Sequence, residues 1–223
     1  GAKFIVGSSS DDKRGWFQGS NQYRVGLKNG SNTHCFIGSG GADNFRVSRH
    51  DGSTSLEVNG SGSIVLPVSS AGIYLGVTSA TAANFLNDYE EGTWTPTLVS
   101  TGASFAYSVR QGFYTKVGRV VNFTVALQLD GGGNSFTNNS VALNGWPFQS
   151  TTNAHSRFII YGRYFNLDLG NGYTYAYAHL NGNSSSATLH ESGDNVPTAT
   201  IVSNDLSSSS GQLYLNGQYI TDS

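Results

Sequence analysis

The sequence predicts an all-β protein in which a region of short strands precedes a larger, jelly-roll-like β-sandwich. Three observations support this prediction. Apolar and polar residues alternate in many short segments, as they do in strands with one buried face. Turn-forming glycine accounts for 29 of the 223 residues, and aromatic residues make up 12% of the chain. The best helical window, 79–89, would span about three turns at most.

The composition disfavours several classes of protein. Charged residues make up 12% of the chain, against about 25% in an average protein, and the net charge is −2. Disordered chains have few aromatics and a high net charge, and nucleic-acid-binding surfaces are strongly basic, so neither class fits. No run of about 18 apolar residues predicts a membrane-spanning helix. The absence of methionine indicates a piece of a longer protein or a processed product.

Cys35 is the single cysteine, so neither an intrachain disulfide nor a cysteine-based zinc site is predicted. Secreted proteins of this size often carry disulfides, and their absence suits assembly in a bacterial cytoplasm. No motif in the sequence predicts a cofactor.

Residues 1–76 contain short segments with only two or three apolar side chains each. The centres Val25, Ile37, Val47 and Val58 lie 12, 10 and 11 residues apart, with turn-forming residues between them. Such strands cannot bury an apolar face alone, so they pack on neighbouring strands or on other chains. We therefore expect a shaft of short, intertwined strands whose core forms between subunits.

Residues from about 93 onward show longer strand patterns. In 121–129 the apolar residues alternate with polar or small ones, which predicts a strand with one buried face. Further strands are predicted at 93–99, 104–110, 112–117, 140–145, 157–169, 173–181, 186–191, 198–203 and 212–220. Loops rich in Gly, Asn and Ser are predicted at 130–140, 149–157, 181–187 and 204–211, and loops of a sandwich commonly carry recognition.

Four segments resemble a pattern found in the tail fibres of tailed bacteriophages. They are GIYLG at 72–76, NFLNDYEEGTWTPTL at 84–98, GFYTKVGRVV at 112–121 and NGWPF at 144–148. The family pattern reads roughly G-I-Y-L-G, then L-D-D-Y-E-E-G-T-W-T-P, then G-Y-Y-T-K-I-G-N-x-V, with a later G-L-P-F turn. This sequence departs from that pattern at Asn87, Phe113, Arg119 and Trp146, where the family has Asp, Tyr, Asn and Leu.

The resemblance implies a fold, an assembly and a function. It implies a trimeric fibre end with a shaft over 1–76, a junction over 77–97 and a β-sandwich head over 98–223. The expected function is attachment of a phage tail fibre to the surface of the host cell. The expected partners are further copies in a homotrimer, upstream fibre or baseplate proteins, and a host glycan or outer-membrane protein. The expected location is the virion, outside the host cell.

The junction segment contains three residues with predicted structural roles. Pro96 cannot continue a hydrogen-bonded ladder, so it interrupts strand pairing. Tyr89 and Trp94 are large anchors suited to a subunit interface. Asp88, Glu90 and Glu91 form the densest charge cluster, and neighbouring residues on a strand point to opposite faces. A solvated or cation-paired cluster is therefore the simpler interpretation, and a metal or catalytic carboxylate site is the alternative.

Aromatic residues in the head form the candidate receptor site. Tyr173, Tyr175 and Tyr177 have the spacing of one strand face, with Tyr161 and Tyr164 on the preceding strand and Trp146 nearby. Aromatic faces stack on the apolar C–H patches of sugar rings, and tyrosine hydroxyls bond sugar hydroxyls. An aromatic layer between sheets or subunits would produce the same pattern, so both interpretations remain open.

Enzymatic and structural functions are the alternatives to adhesion. No nucleophile motif, phosphate-binding loop or paired histidine spacing is present in the sequence. A glycoside hydrolase needs two carboxylates about 5–10 Å apart, and no pair of the 14 acidic residues is marked by its spacing. We therefore expect a non-enzymatic adhesin. A polysaccharide hydrolase and a purely structural trimerisation segment remain as rivals.

Overall fold

The computed structural model describes residues 24–29, 32–40, 44–49, 53–68, 71–81, 84–153, 155–206 and 211–222. In this part of the chain the fold is all-β with antiparallel sheets, as predicted. A short 3-10 helix, Ser203–Leu206, precedes the last strand. None of the described helices has the length and apolarity needed to cross a bilayer. The chain divides into two compact units, Gly1–Asn87 and Asp88–Ser223. This division falls inside the predicted junction 77–97.

The first unit contains a five-stranded antiparallel sheet in which each strand pairs with the next one along the chain. Its strands are β1 (Arg24–Asn29), β2 (Asn32–Gly40), β3 (Asn44–Arg49), β4 (Thr54–Val58) and β5 (Ile64–Val65). A separate short hairpin joins β6 (Ile73–Tyr74) to β7 (Phe85–Leu86), and the rings of Tyr74 and Phe85 stack at 4.6 Å. The helical window 79–89 therefore contains an extended strand. Residues 1–23 of the predicted shaft lie outside the described residues.

The first unit leaves its described apolar side chains exposed or only partly buried. Among 44–48, 53–68, 71–81 and 84–87, where side-chain burial is described, no apolar side chain is buried. Ile64 is 71% exposed, and Ile73 and Leu75 are also more than half exposed. A single sheet layer covers neither of its own faces, so these side chains have no core within the described residues of one chain.

The second unit is a pair of antiparallel sheets. The strands are β8 (Tyr89–Trp94), β9 (Thr97–Val99), β10 (Tyr107–Val117), β11 (Val120–Leu129), β12 (Ala142–Asn144), β13 (Arg157–Ile160), β14 (Gly162–Phe165), β15 (Tyr175–Asn181), β16 (Ser186–Gly193), β17 (Val196–Thr200) and β18 (Gln212–Ile220). One sheet has the order β14-β18-β11-β10-β8, and we call it the β11 sheet. The other has the order β13-β15-β16-β12-β9 with β17 paired to β16, and we call it the β16 sheet.

One hydrophobic cluster joins the two sheets and makes the unit sandwich-like. The β11 sheet contributes alternate residues such as Val125 and Leu127, and the β16 sheet contributes Leu143, Leu180 and Leu189. All five apolar residues predicted for one face of strand 121–129 are buried, which confirms the period-2 interpretation. Tyr219, which the sequence did not mark, is fully buried, and its hydroxyl donates to the carbonyl of Phe148 at 3.0 Å.

The chain changes sheets at two places where the sequence predicted strands. Pro96 lies between β8 and β9, which belong to different sheets, so it interrupts pairing as predicted. The predicted strand 157–169 divides into β13 and β14, which also belong to different sheets. At this switch a Cβ on Gly162 would lie 2.1 Å from the carbonyl oxygen of Tyr214, so only glycine allows the close approach. By contrast, the predicted strands 104–110 and 112–117 form one strand, β10.

Candidate functional site

The outer face of the β16 sheet carries a group of rings. On β15, Tyr175, Tyr177 and His179 alternate with the buried residues Ala176, Ala178 and Leu180. Successive side chains of a strand point to opposite faces, so the small apolar residues turn to the core and the rings turn outward. The predicted aromatic stripe therefore exists as an exposed feature and not as a layer between the two sheets.

Neighbouring strands extend this group of rings. Tyr177 pairs with His190 across β15 and β16, and their rings stack at 5.4 Å. Tyr177 also lies 6.2 Å from Tyr175 and 6.1 Å from Tyr161, and His179 lies 5.7 Å from His190, all between ring centroids. We call these five residues, Tyr161, Tyr175, Tyr177, His179 and His190, the ring array. Tyr161 is 58% exposed and Tyr175 is 47% exposed, so the array presents ring surface to solvent.

The environment of the ring array lowers the pKa of both of its histidines. Partial burial is the main reason that the pKa of each imidazole lies below its ordinary 6.5, and nearby His190 and Arg157 lower the pKa of His179 further. Within the described part of the chain, Nε2 of His179 and Nδ1 of His190 have no hydrogen-bond partner. The lowered pKa values favour the neutral form of both imidazoles, and the two unpaired nitrogens are themselves buried.

A cleft of about 330 Å³ opens beside the ring array. Tyr161 and Tyr175 belong to both the array and the lining of the cleft. The remaining lining comes from Gly162 and Tyr164 of β14, from Ala176 of β15, and from three residues of the segment 166–174, which are Leu167, Leu169 and Thr174. Tyr164 faces inward from the β11 sheet, and its hydroxyl is buried with no partner among the described residues. Burial raises the pKa of this phenol, so it remains protonated.

The six predicted receptor residues have different environments. Tyr161, Tyr175 and Tyr177 lie in the ring array, and Tyr164 lines the cleft without reaching the array's surface. Tyr173 precedes β15 instead of lying on it, and its hydroxyl donates to the carbonyl of Pro197 at 3.1 Å. Tyr173 therefore helps to hold the segment 166–174 in place.

Trp146 is corrected from a receptor residue to a core residue. It packs on Trp94 at 5.1 Å, Phe123 at 4.7 Å and Tyr219 at 5.5 Å, and its indole nitrogen donates to the carbonyl of Leu143. Gly145 has a φ of +88°, which turns the chain so that the indole enters the core. In this structure the ring has no free face for a ligand.

The predicted junction residues also have different environments. Trp94 is 8% exposed and lies in the core of one chain, so we correct its expected place at a subunit interface. Pro96 is buried. Tyr89 is 64% exposed at the start of β8, and its hydroxyl donates to Glu91 at 2.9 Å.

The acidic cluster is paired and does not converge. Asp88 forms an ion pair with the buried Lys116, while Glu90 accepts a hydrogen bond from the hydroxyl of Tyr114. Glu91 accepts a hydrogen bond from Tyr89 on the other face of the strand. In the part of the chain that the structure describes, no three His, Cys, Asp or Glu side chains lie together as metal ligands would. The simpler of the two interpretations therefore fits this cluster.

The predicted recognition loops differ in what the structure describes. The turn after β15 is held by Ser150, whose hydroxyl lies 2.6 Å from the carbonyl oxygen of Asn181, and Asn183 has a φ of +57°. Asn134 closes the loop that begins at Asp130. Residues 207–210 of the last predicted loop lie outside the described residues.

Sequence patterns missed His190 as a member of the ring array. The signal was present, because Thr188, His190 and Ser192 alternate with Ala187, Leu189 and Glu191. It could not be used without the pairing of β15 with β16, which sets His190 directly opposite Tyr177.

The chain matches no protein-family model, none of the curated proteins and no solved structure at significant similarity.

Proposed function

We propose that this chain is the distal part of a phage tail fibre, a homotrimer with a jelly-roll-like head that attaches to a glycan on the host surface. The ring array carries the proposal. It presents the exposed rings of Tyr161 and Tyr175 beside three half-buried rings on the outer face of a sheet. Tyrosine rings offer large contact area at low conformational cost. The resemblance of 72–148 to the tail-fibre pattern supports the biological setting. Upstream fibre or baseplate proteins would hold the other end.

The uncovered first unit supports the proposed trimer. Several of its described apolar side chains, including Ile64, Ile73 and Leu75, are exposed in a single chain. Exposed apolar side chains that occur together mark interaction surfaces, and further copies of the same chain would cover them in a shaft.

We expect the chain to be a homotrimer in solution. Light scattering should give about three times the chain mass of 23.6 kDa, because none of the first unit's apolar side chains whose burial is described is buried within one chain. The mass should remain constant on moderate dilution. A monomer that unfolds cooperatively at high temperature would contradict both the trimer and the intersubunit shaft.

We expect the double variant Tyr175→Ala/Tyr177→Ala to bind bacterial surface polysaccharides at least about tenfold more weakly than the unchanged chain. Each lost ring contact weakens one site, and three linked sites multiply the effect through avidity. Binding to an immobilised panel of such polysaccharides, and to bacterial cells, measures the change. The matched control is Tyr214→Ala, which removes an exposed tyrosine from the outer face of the β11 sheet. Equal binding by both variants would contradict the role of the ring array.

The same panel separates adhesion from its two rivals. A polysaccharide hydrolase releases oligosaccharides during incubation, whereas an adhesin leaves the polymer at full length. A purely structural segment binds neither cells nor polysaccharides.

A further inference from the structure

The cleft beside the ring array has a size that suits one small ring. Its volume of about 330 Å³ lies at the lower end of the range of roughly 300–1,000 Å³ for small-molecule sites. Because Tyr161 and Tyr175 line the cleft and also belong to the ring array, a ligand can occupy both at once. One ring would then fill the cleft while the rest of the molecule lies on the array.

The lining of the cleft has no charge to offer a ligand. None of the described residues that line it is acidic, basic or a histidine, and the polar groups are the hydroxyls of tyrosine and Thr174. A carboxylate brought into such a site loses its water without gaining a cation, which is costly. An uncharged ligand with hydroxyl groups and apolar patches loses much less free energy on entering the cleft. Protein hydroxyls can bond its hydroxyl groups, and the side chains of Leu167 and Leu169 can contact its apolar patches.

The wall formed by 166–174 is held in place before any ligand arrives. The buried carboxylate of Glu191 accepts a hydrogen bond from the amide of Gly170 at 3.0 Å. The amide of Asp168 donates to the carbonyl of Asp205 at 2.8 Å, and Tyr173 is held by Pro197. A wall that is already ordered costs little to close around a ligand.

Tyr164 lines the cleft, but its hydroxyl is buried and has no partner among the described residues, which is costly in the unliganded protein. Because this hydroxyl is not open to the cleft in the structure, a sugar hydroxyl becomes its partner only when the ring turns towards the ligand. The phenylalanine variant removes this group while keeping the ring.

We propose that the cleft binds a single uncharged sugar residue at the end of a glycan chain or branch, with the following residues stacked on the ring array. This inference rests on the proposed function and narrows its ligand to glycans with neutral end groups. Acidic end groups, such as uronic or sialic acids, are excluded from the cleft by the lack of a cation.

The test uses the full chain and free monosaccharides. Glucose, galactose, mannose and N-acetylglucosamine are titrated beside glucuronic, galacturonic and N-acetylneuraminic acids, with binding followed by saturation-transfer NMR and calorimetry. We expect at least one uncharged sugar to bind in the millimolar range, and to bind at least about tenfold more tightly than any acidic sugar.

Two variants and one control locate this binding. Thr174 is exposed and lines the cleft, so the longer side chain in Thr174→Arg fills the cleft and should lower the affinity for the sugar at least about tenfold. Tyr164→Phe should weaken it several-fold while the melting temperature stays unchanged or rises, which a merely structural hydroxyl would not do. Thr101→Arg places the same charge on an exposed turn outside the lining of the cleft and should change nothing.

The outcomes separate the cleft from the proposed function. Equal binding of acidic and neutral sugars, or unchanged binding in Thr174→Arg, overturns the inference. The inference is also overturned if no monosaccharide binds while polysaccharide still binds in a way that depends on Tyr177. In that case the proposed adhesion through the ring array stands. Failure of the unchanged chain to bind any polysaccharide on the panel overturns both.

Discussion

Replacing Trp94 with alanine is expected to lower the free energy of unfolding of the second unit by about 3–5 kcal/mol. The indole is buried against Trp146, and it also fills the space over Gly112, where a Cβ would lie 2.2 Å from the indole nitrogen. Removing it leaves a cavity between β8 and β10 and exposes one face of Trp146. Urea unfolding followed by tryptophan fluorescence and near-UV circular dichroism measures the loss at a fixed protein concentration.

Tyr89→Ala is the matched control, because Tyr89 lies on the same strand with its side chain exposed. We expect it to change the stability of the second unit by at most about 0.5 kcal/mol. Glycan binding per folded molecule should survive in both variants, since neither residue touches the ring array. Unchanged stability with lost binding in Trp94→Ala would contradict the assignment of Trp94 to the core.

Local periodicity predicted the strands that have one buried face and ordinary pairing. The strand β11 shows this, because its five apolar side chains repeat every second residue and all of them are buried. The outer placement of Tyr175 and Tyr177 follows from the same rule, once the small residues between them are recognised as the buried face. The alternation of residues along a single strand is enough for these predictions.

For Trp146 and Tyr161 the sequence could not show which ring reaches the surface, because this depends on long-range pairing. Trp146 and Tyr161 belong to residue types that occur both in cores and at binding surfaces. A turn at Gly145 sends Trp146 inward, whereas the switch at Gly162 separates the exposed Tyr161 from the inward-facing Tyr164. Gly145 is needed for its positive φ and Gly162 for the close approach of β18, and neither need is visible in the sequence alone.

Lys116 is the buried charge on which the second large prediction depends. Its side chain is 2% exposed, it forms an ion pair with Asp88, and its ammonium lies 5.2 Å from the ring centre of Phe148. A buried cation that loses its partner is strongly destabilising, whereas an apolar side chain of similar volume is often tolerated in the same place.

We therefore expect Asp88→Ala to cost about 2–3 kcal/mol of unfolding free energy, below the usual loss for a fully buried pair because Asp88 remains partly exposed to water. Lys116→Met should cost less than about 1 kcal/mol, since it removes the charge and keeps most of the volume. In the double variant the loss from Asp88→Ala should largely disappear, because no unpaired charge remains. Urea unfolding of the four proteins forms a thermodynamic cycle that measures the coupling between the two side chains. Additive losses in this cycle, or a larger loss in Lys116→Met than in Asp88→Ala, would show that the packing of Lys116 matters more than its pairing with Asp88.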